Sequence, residues 1–370
     1  MALTDFASMT DEQYTVWARR TWAEARNRSF VIPFVGNSAD SMIQRITELK
    51  STKTGNRCVI TLVNDIRGDG IVGDNQAKGN ETAMGADDNV IQFDQLRFPV
   101  ANTGRMADQK SVVDFRTNAK DQIANAHQQT MDELAFLTLS GIGYNFNTDG
   151  TARLGSQLPM LEYAGDVTAP TANRHVRWDA TNGIQPGDTT QVDPADKPTW
   201  KMFVQAKAHA MNTWLKPNRT NNGVESFNVF LSIDGMAALK QDADFIAMWK
   251  DARERGTANP IFAGTPHGGV NGIRIDGMNI FEYRNVFHPS TWGGDGDVKG
   301  QRILFCGAQA LGFADPTGIG MPGWDEEKDD YNNRYGIAGR KVYGFKKPVF
   351  FNSKLQSTED FGVLCIDTAV

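Results

Sequence analysis

Between residues 111 and 141, apolar or small residues recur at Ala119, Ile123, Ala126, Thr130, Leu134 and Leu137. Steps of three and four place these positions on one face of a helix. Arg116, Lys120, Asp121, Asn125, Gln128, Asp132 and Glu133 fall on the other face. Ser111 followed by Asp114 is a capping-box-like start, with Asp114 itself an alternative cap. Neither Pro nor Gly interrupts the run, and Gly141 is placed to end it in a left-handed cap. Such a helix is roughly 40 Å long, far above the usual length of about 11–12 residues. Helical propensity alone contributes little, so other structure must lie along it.

The rest of the chain alternates between shorter apolar runs and polar, glycine-rich connections. Thr10 with Asp11 and Glu12 starts a helix to about Arg26, with Trp17, Thr21 and Ala25 on one side; it has too little apolar surface for a core of its own. Residues 30–34 are apolar around Pro33, and residues 42–49 fit strand and helix equally. Residues 57–64 and 90–100 are β-branched or alternating and read as strands, with Pro99 marking the second as an edge. Between them, residues 65–89 are rich in Gly, Asp and Asn, too long for a tight turn. Two strands with a polar tip cannot form a core alone, so an arm laid on another molecule is expected.

A loop-rich stretch covers 142–198, after which Thr199 caps a helix over 200–214. Residues 227–232 predict a strand running straight into a helix over 234–241. Strand, turn, strand is expected over 269–286, and a strand over 302–305. Residues 325–330 (DEEKDD) read as an acidic loop, and two strand-like runs flank Gly344 within 335–351. The apolar run 361–366 must be paired inside a sheet.

Composition narrows the function without naming a chemistry. The chain has 370 residues, 40% hydrophobic and 22% charged, an ordinary globular balance. A net charge of −6 argues against a dedicated nucleic-acid-binding protein. Cys58, Cys306 and Cys365 lie far apart in apolar runs and read as free buried thiols of a reducing compartment. No signal peptide and no membrane span is expected.

No GxSxG, HExxH, P-loop or GxGxxG is present. The five histidines are scattered; His127 lies off the helix stripe and is expected to be solvated or to face a partner. Asp65, Asp69 and Asp74 do not have calcium-loop spacing. The acidic residues 325–330 are read as a solvated or partner-facing patch, and Lys346 with Lys347 as too small a basic patch to read nucleic acid. No catalytic residue, metal site or cofactor is expected, which favours a protein that works by assembly.

Several stretches carry a resemblance. DQLRFPV followed by VVDFRTNAKDQIANAHQQTMDELAFLTLSG resembles the strand and long helix of tailed-phage major capsid proteins of the Hong Kong 97 fold, in the group typified by N4-like podoviruses. GDGIVGDNQAKGNE resembles that group's loop tip, and FNVFLSIDGMAALKQDADF its strand-then-helix unit. GIAGRKVYGFKKPVFFNS with DFGVLCIDTA resembles its closing strands. The likeness runs from about residue 34 to the C-terminus.

The resemblance implies an α+β shell protein. It implies an N-terminal arm (1–54), an extended hairpin or E-loop (55–104), a P-domain with the long spine helix (105–140), an A-domain (141–321) and return strands of the P-domain (322–370). It implies self-assembly into hexamers and pentamers of an icosahedral shell around double-stranded DNA, held without sequence reading. A portal would be a partner, with scaffold or cement proteins as further ones, and no membrane would be involved. The virion is the implied location, with assembly in the host cytoplasm. Position alone nominates Arg19, Arg20, Arg67, Asp69, Asp74 and Glu81 as inter-subunit contacts, and Ile123, Leu134 and Leu137 as spine core. The short N-terminal region lacks heptads, so no cleaved scaffold segment is expected. Lys78 and Asn80 show no matching partner, so no crosslink is expected either. Other readings are an encapsulin-like compartment, a virion decoration or tail protein, or an enzyme centred on the acidic residues Asp329 and Asp330.

Overall fold

The computed structural model describes residues 29–46, 57–63, 70–81, 86–106, 115–219, 223, 225–254, 272–316 and 323–370. The chain begins with β1 (Val35–Gly36), β2 (Ile43–Ile46), β3 (Arg57–Val63), β4 (Ala86–Gln92) and β5 (Asp94–Ala101), followed by helix α1 (Phe115–Ser140). Next come β6 (His175–Asp179), β7 (Gly183–Pro186), helix α2 (Trp200–Asn212), β8 (Asn218–Arg219) and β9 (Glu225–Leu231). Helices α3 (Ile233–Gln241) and α4 (Ala243–Glu254) lead to β10 (Ile273–Ile275), β11 (Met278–Glu282), β12 (Gly300–Cys306) and β13 (Leu311–Ala314). The last strands are β14 (Gly323–Asp329), β15 (Arg334–Lys346), β16 (Val349–Asn352), β17 (Ser357–Asp360) and β18 (Val363–Ala369).

Near-continuous apolar runs make strands that are buried on both faces. In β12, Ile303 and Phe305 face one core while Leu304 and Cys306 face another; β18 splits Leu364 and Ile366 from Val363 and Cys365 in the same way. These strands lie side by side in a sheet ordered β10-β11-β9-β12-β18-β6-β7, with β8 paired to β9. One face is covered by α2, through Met202, Phe203, Ala206 and Ala210, and by Met236 and Leu239 of α3 and Phe245 of α4. The other face meets the second half of α1 and residues 30–35. A second sheet, ordered β1-β2-β13-β15-β14 with β5 on β15, carries the first half of α1 through Ala119, Ile123, Trp324 and Ile337.

Helix ends follow the local chemistry. Thr199 Oγ1 accepts the backbone N–H of Met202, and Ser232 Oγ accepts that of Gly235. Gly141 has φ 70°; its N–H donates to Thr138 O, and Ile142 N–H donates to Leu137 O, closing α1 in a left-handed cap. A Cβ at Gly141 would sit 2.6 Å from the carbonyl oxygen of Thr168.

Several expectations change. Residues 43–46 are strand. The acidic stretch is not a loop: 323–329 is β14, paired along its length with β15, and Asp325, Glu327 and Asp329 are exposed. Gly344 does not separate two strands but lies inside β15. The loop-rich stretch 142–198 supplies four short 3-10 turns and the hairpin β6–β7. The closing residues divide between sheets: β14 and β15 belong to the sheet on α1, whereas β18 is inserted between β12 and β6 of the larger sheet. Cys58, Cys306 and Cys365 are free and buried, and burial pushes the thiols of Cys306 and Cys365 up.

Candidate assembly interface

β3 and β4 pair antiparallel from Arg57↔Gln92 to Val63↔Ala86 as a two-stranded arm, whereas the second strand expected over 90–100 breaks at Phe93 and residues 94–101 pair with β15 as β5. Its base is fixed by a small core of Cys58, Ile91, Phe93 and Ala314, with Ile46, Ile60 and Val342 packed against it. Polar clamps add direction. Lys346 Nζ donates to Val90 O at 2.7 Å and to Asp166 Oδ1 at 3.3 Å, while Asp166 Oδ2 accepts Gln92 N–H. Asn89 Nδ2 donates to Val349 O, and Phe351 N–H to Asp87 Oδ2. The backbone passes so close to β15 that a Cβ on Gly344 would lie 2.0 Å from Gln92 O. That contact is why a glycine stands inside a strand.

The described tip, 70–81, is exposed at every position. Asp74 and Glu81 are therefore on solvent, with Glu81 Oε2 accepting the N–H of Gly79 at 2.7 Å. Val72 is 77% exposed. The base of the arm is fixed and the described tip is bare. Arg67 and Asp69, like Arg19 and Arg20 on the arm, lie outside the described residues.

The start of the described chain is pinned on the spine. Asp132, expected on the polar face, is fully buried. Its carboxylate accepts Ser29 Oγ–H, Phe30 N–H at 2.8 Å, Val31 N–H at 3.3 Å and Tyr283 O–H at 3.0 Å. Burial pushes this carboxyl up, and the donors pull against that shift. Phe30 stacks on Tyr283 with centroids 3.9 Å apart. One acidic side chain thus joins three distant segments, which a helical-wheel pattern does not reveal.

His127 is also corrected: it is 7% exposed, within hydrogen-bond distance (3.1 Å) of Gly339 O through Nε2, and edge-on to Phe98 at 4.7 Å. Desolvation lowers its pKa to about 4; the bond to Gly339 opposes this, and the Lys341 cation adds to it. Ile123, Leu134 and Leu137 of α1 are buried, at 1%, 0% and 0% exposure.

At the end of α1, Arg302 Nη1 donates to Ser140 O at 2.9 Å, placing a cation at the helix C-terminus. Its Nε and Nη2 reach Asp367 Oδ1 and Oδ2 at 2.7 and 3.0 Å. Burial would raise the Asp367 carboxyl, but Arg302 and His175 hold it below the ordinary range. This pair joins α1, β12 and β18 and is structural. Among the described residues, no group of His, Cys, Asp and Glu could hold a metal, and no helix is long and apolar enough to cross a membrane.

A groove of about 1070 Å3 runs along β5 and reaches Thr130 of α1, residues 156–158, 160 and 161, and residues 325–327 of β14. Asp325 and Glu327 stand exposed on it, two residues apart on one face of β14. Asp325 contacts Arg340 at 3.5 Å. Met160 and Val100, 80% and 36% exposed, give the groove apolar surface.

A long spine under one sheet, a doubly covered sheet beside it and a projecting hairpin define a Hong Kong 97-like capsid fold. The structure matches the capsid of Ralstonia phage GP4 with a TM-score of 0.75 at 26% identity, covering 93% of this chain and 92% of that one. It matches the capsid of cyanophage Pam1 with a TM-score of 0.69 at 18% identity, covering 92% of each chain. In sequence it is 45% identical to the major capsid protein of Pseudomonas phage KPP25, over 99% of this chain and 97% of that protein. The family model for phage capsid protein matches residues 5–370, and the chain belongs to that family.

Proposed function

We propose that this chain is the major capsid protein of its phage, closing as hexamers and pentamers into an icosahedral shell around double-stranded DNA. The observation that carries this reading is the arm β3–β4: its base is cored and clamped, and its tip buries nothing. An element built so gains its stabilising burial from a neighbouring copy, and many such contacts repeated by symmetry close a shell. Arg67, Asp69, Asp74 and Glu81 on the loop, with Arg19 and Arg20 on the N-terminal arm, are the proposed contact residues. The P-domain comprises the spine, β5, β14 and β15; the A-domain comprises the larger sheet with α2 to α4, and takes in β18. Assembly takes place in the host cytoplasm, the portal is a partner, scaffold or cement proteins join where needed, and DNA touches the inner surface without sequence reading.

Deleting residues 68–85 tests this. The expected product is a folded subunit, with the circular dichroism of the full chain, that yields no closed particles by negative-stain microscopy. Particles of normal size from the deleted chain would overturn the role given to the loop.

A further inference from the structure

We propose that the pocket beside Trp214 receives Tyr331, at the tip of the β14–β15 hairpin, from a second copy of this chain. This deepens the shell reading and rests on it. A cavity of about 190 Å3 lies between the foot of the arm at Leu62, the residues that follow α2 and the hairpin β16–β17. Trp214, Phe350, Phe351 and Phe361 line it, with Trp214 52% and Phe351 38% exposed. Lys216 and Lys354 also line it and are exposed, and the Lys354 ammonium lies 5.0 Å from the Trp214 ring. The volume suits one large side chain and is too small for a strand or a helix.

One group in the pocket wall lacks a partner. Asp360 is fully buried; its Oδ2 accepts Lys347 Nζ at 2.8 Å and the N–H of Thr171 at 3.2 Å, whereas Oδ1 has no hydrogen bond. A buried acceptor left bare is costly, and a donor arriving from outside removes that cost. The pocket therefore fits an aromatic ring that carries an O–H, set beside negative charge that complements the two lysines.

The β14–β15 hairpin presents these features together. Tyr331 is fully exposed, and Asp329 and Asp330 precede it. The nearest cations in sequence, Lys328 and Arg334, stand three residues to either side of the ring. Asp330, Tyr331 and Asn332 have φ of 51°, 50° and 68°. L residues other than glycine normally enter this left-handed region singly, and strain of this kind gathers at sites of function. The turn is held in place: Asn333 N–H donates to Asp330 O at 2.9 Å, and Arg105 N–H to Asn333 O at 3.1 Å. It carries Tyr331 into solvent and not into its own subunit's pocket, so the ring that fills the pocket comes from another copy. Phe146, another exposed aromatic, has no O–H to offer Asp360.

Substitution at the tip and crosslinking across the contact test the seat. Tyr331→Ala is expected to leave the subunit's melting temperature unchanged, because the ring is fully exposed in its own chain, and to lower particle yield at least tenfold. Tyr331→Phe keeps the ring and loses the donor, so its particles should form and come apart at a lower temperature than those of the unmodified chain. Asp329→Cys with Lys354→Cys in one chain replaces a proposed ion pair by a disulfide. Its particles, mildly oxidised, should run as covalent multimers on a non-reducing denaturing gel, and either cysteine alone should give none. Unchanged yield from Tyr331→Ala, or Tyr331→Phe particles as heat-stable as the unmodified ones, overturns the proposal. Loss of particles in Tyr331→Ala without the crosslink in the double variant places the ring elsewhere and overturns the pocket assignment. Particle formation by the unmodified chain, run in parallel, tests the shell reading separately.

Discussion

His127 shows how a single buried ring sets a pH limit. Its ordinary pKa of 6.5 is lowered to about 4 in the folded subunit, because burial disfavours the cation and Lys341 repels it. Below pH 6.5 the unfolded chain takes up a proton that the folded chain refuses until about pH 4. The stability tied to this ring is therefore complete above pH 6.5 and is lost as pH falls towards 4, by up to about 3 kcal/mol. Replacing His127 by Gln keeps a donor for Gly339 O and removes the titration. Urea unfolding at pH 7 and pH 4.5 should then show a drop smaller by about 2–3 kcal/mol than in the unmodified subunit. Equal drops in both proteins would show that the ring is not buried neutral. Asp132 makes the companion point: a carboxylate inside a core is tolerated because its oxygens find donors.

At the scale of elements, the spine divides into two environments. Leu134 lies where α1 is enclosed between both sheets, and Ile123 lies in a satellite cluster with Ala119, Trp324 and Ile337. Truncating either to Ala is expected to cost about 2–5 kcal/mol. Leu134 should fall at the upper end, since its surroundings are packed on every side, and Ile123 at the lower, since its smaller cluster relaxes more easily. Denaturant unfolding of the two variants measures both; a loss below about 1 kcal/mol at Leu134 would contradict the packing.

Much of this element structure was legible beforehand. Three- and four-residue spacing, Thr199 and Gly141 as caps, and the apolar runs of β9, β12 and β18 are local signals. Satisfaction over long sequence distance is not local. Asp132 read as surface because its donors lie about a hundred residues upstream and a hundred and fifty downstream. The stretch 325–330 read as a loop because charge was taken for irregularity, whereas a sheet needs only backbone pairing on its edge strand. Nothing in the order of residues told that β18 would enter the larger sheet and not rejoin β15. The candidate interface was legible as a region, from its length and polarity, and not as individual contacts.

At the scale of the whole molecule, the packed surfaces and the exposed arm are separate. The cores lie under both sheets and at the arm's base, while the tip at 70–81 is exposed at every position. Gly344 is where the two surfaces meet. It belongs to the long strand β15, yet its missing side chain is what lets Gln92, at the foot of the arm, come close. A valine there would have to push the arm's foot away from β15 or bend the strand, at about 1–3 kcal/mol. Residues 334–340 of β15 pair with β14 and residues 336–343 with β5, so most of this pairing lies away from residue 344, which itself faces Ala314 of β13. Gly344→Val should therefore keep the subunit's circular dichroism and a single unfolding transition, with a modestly lower midpoint, while particle yield falls sharply because the tip is misaimed at its neighbour. Normal particles from this variant would mean that the foot of the arm is free to move without consequence. The rigid clamp through Lys346, Asp166 and Asn89 would then be a feature of subunit stability alone.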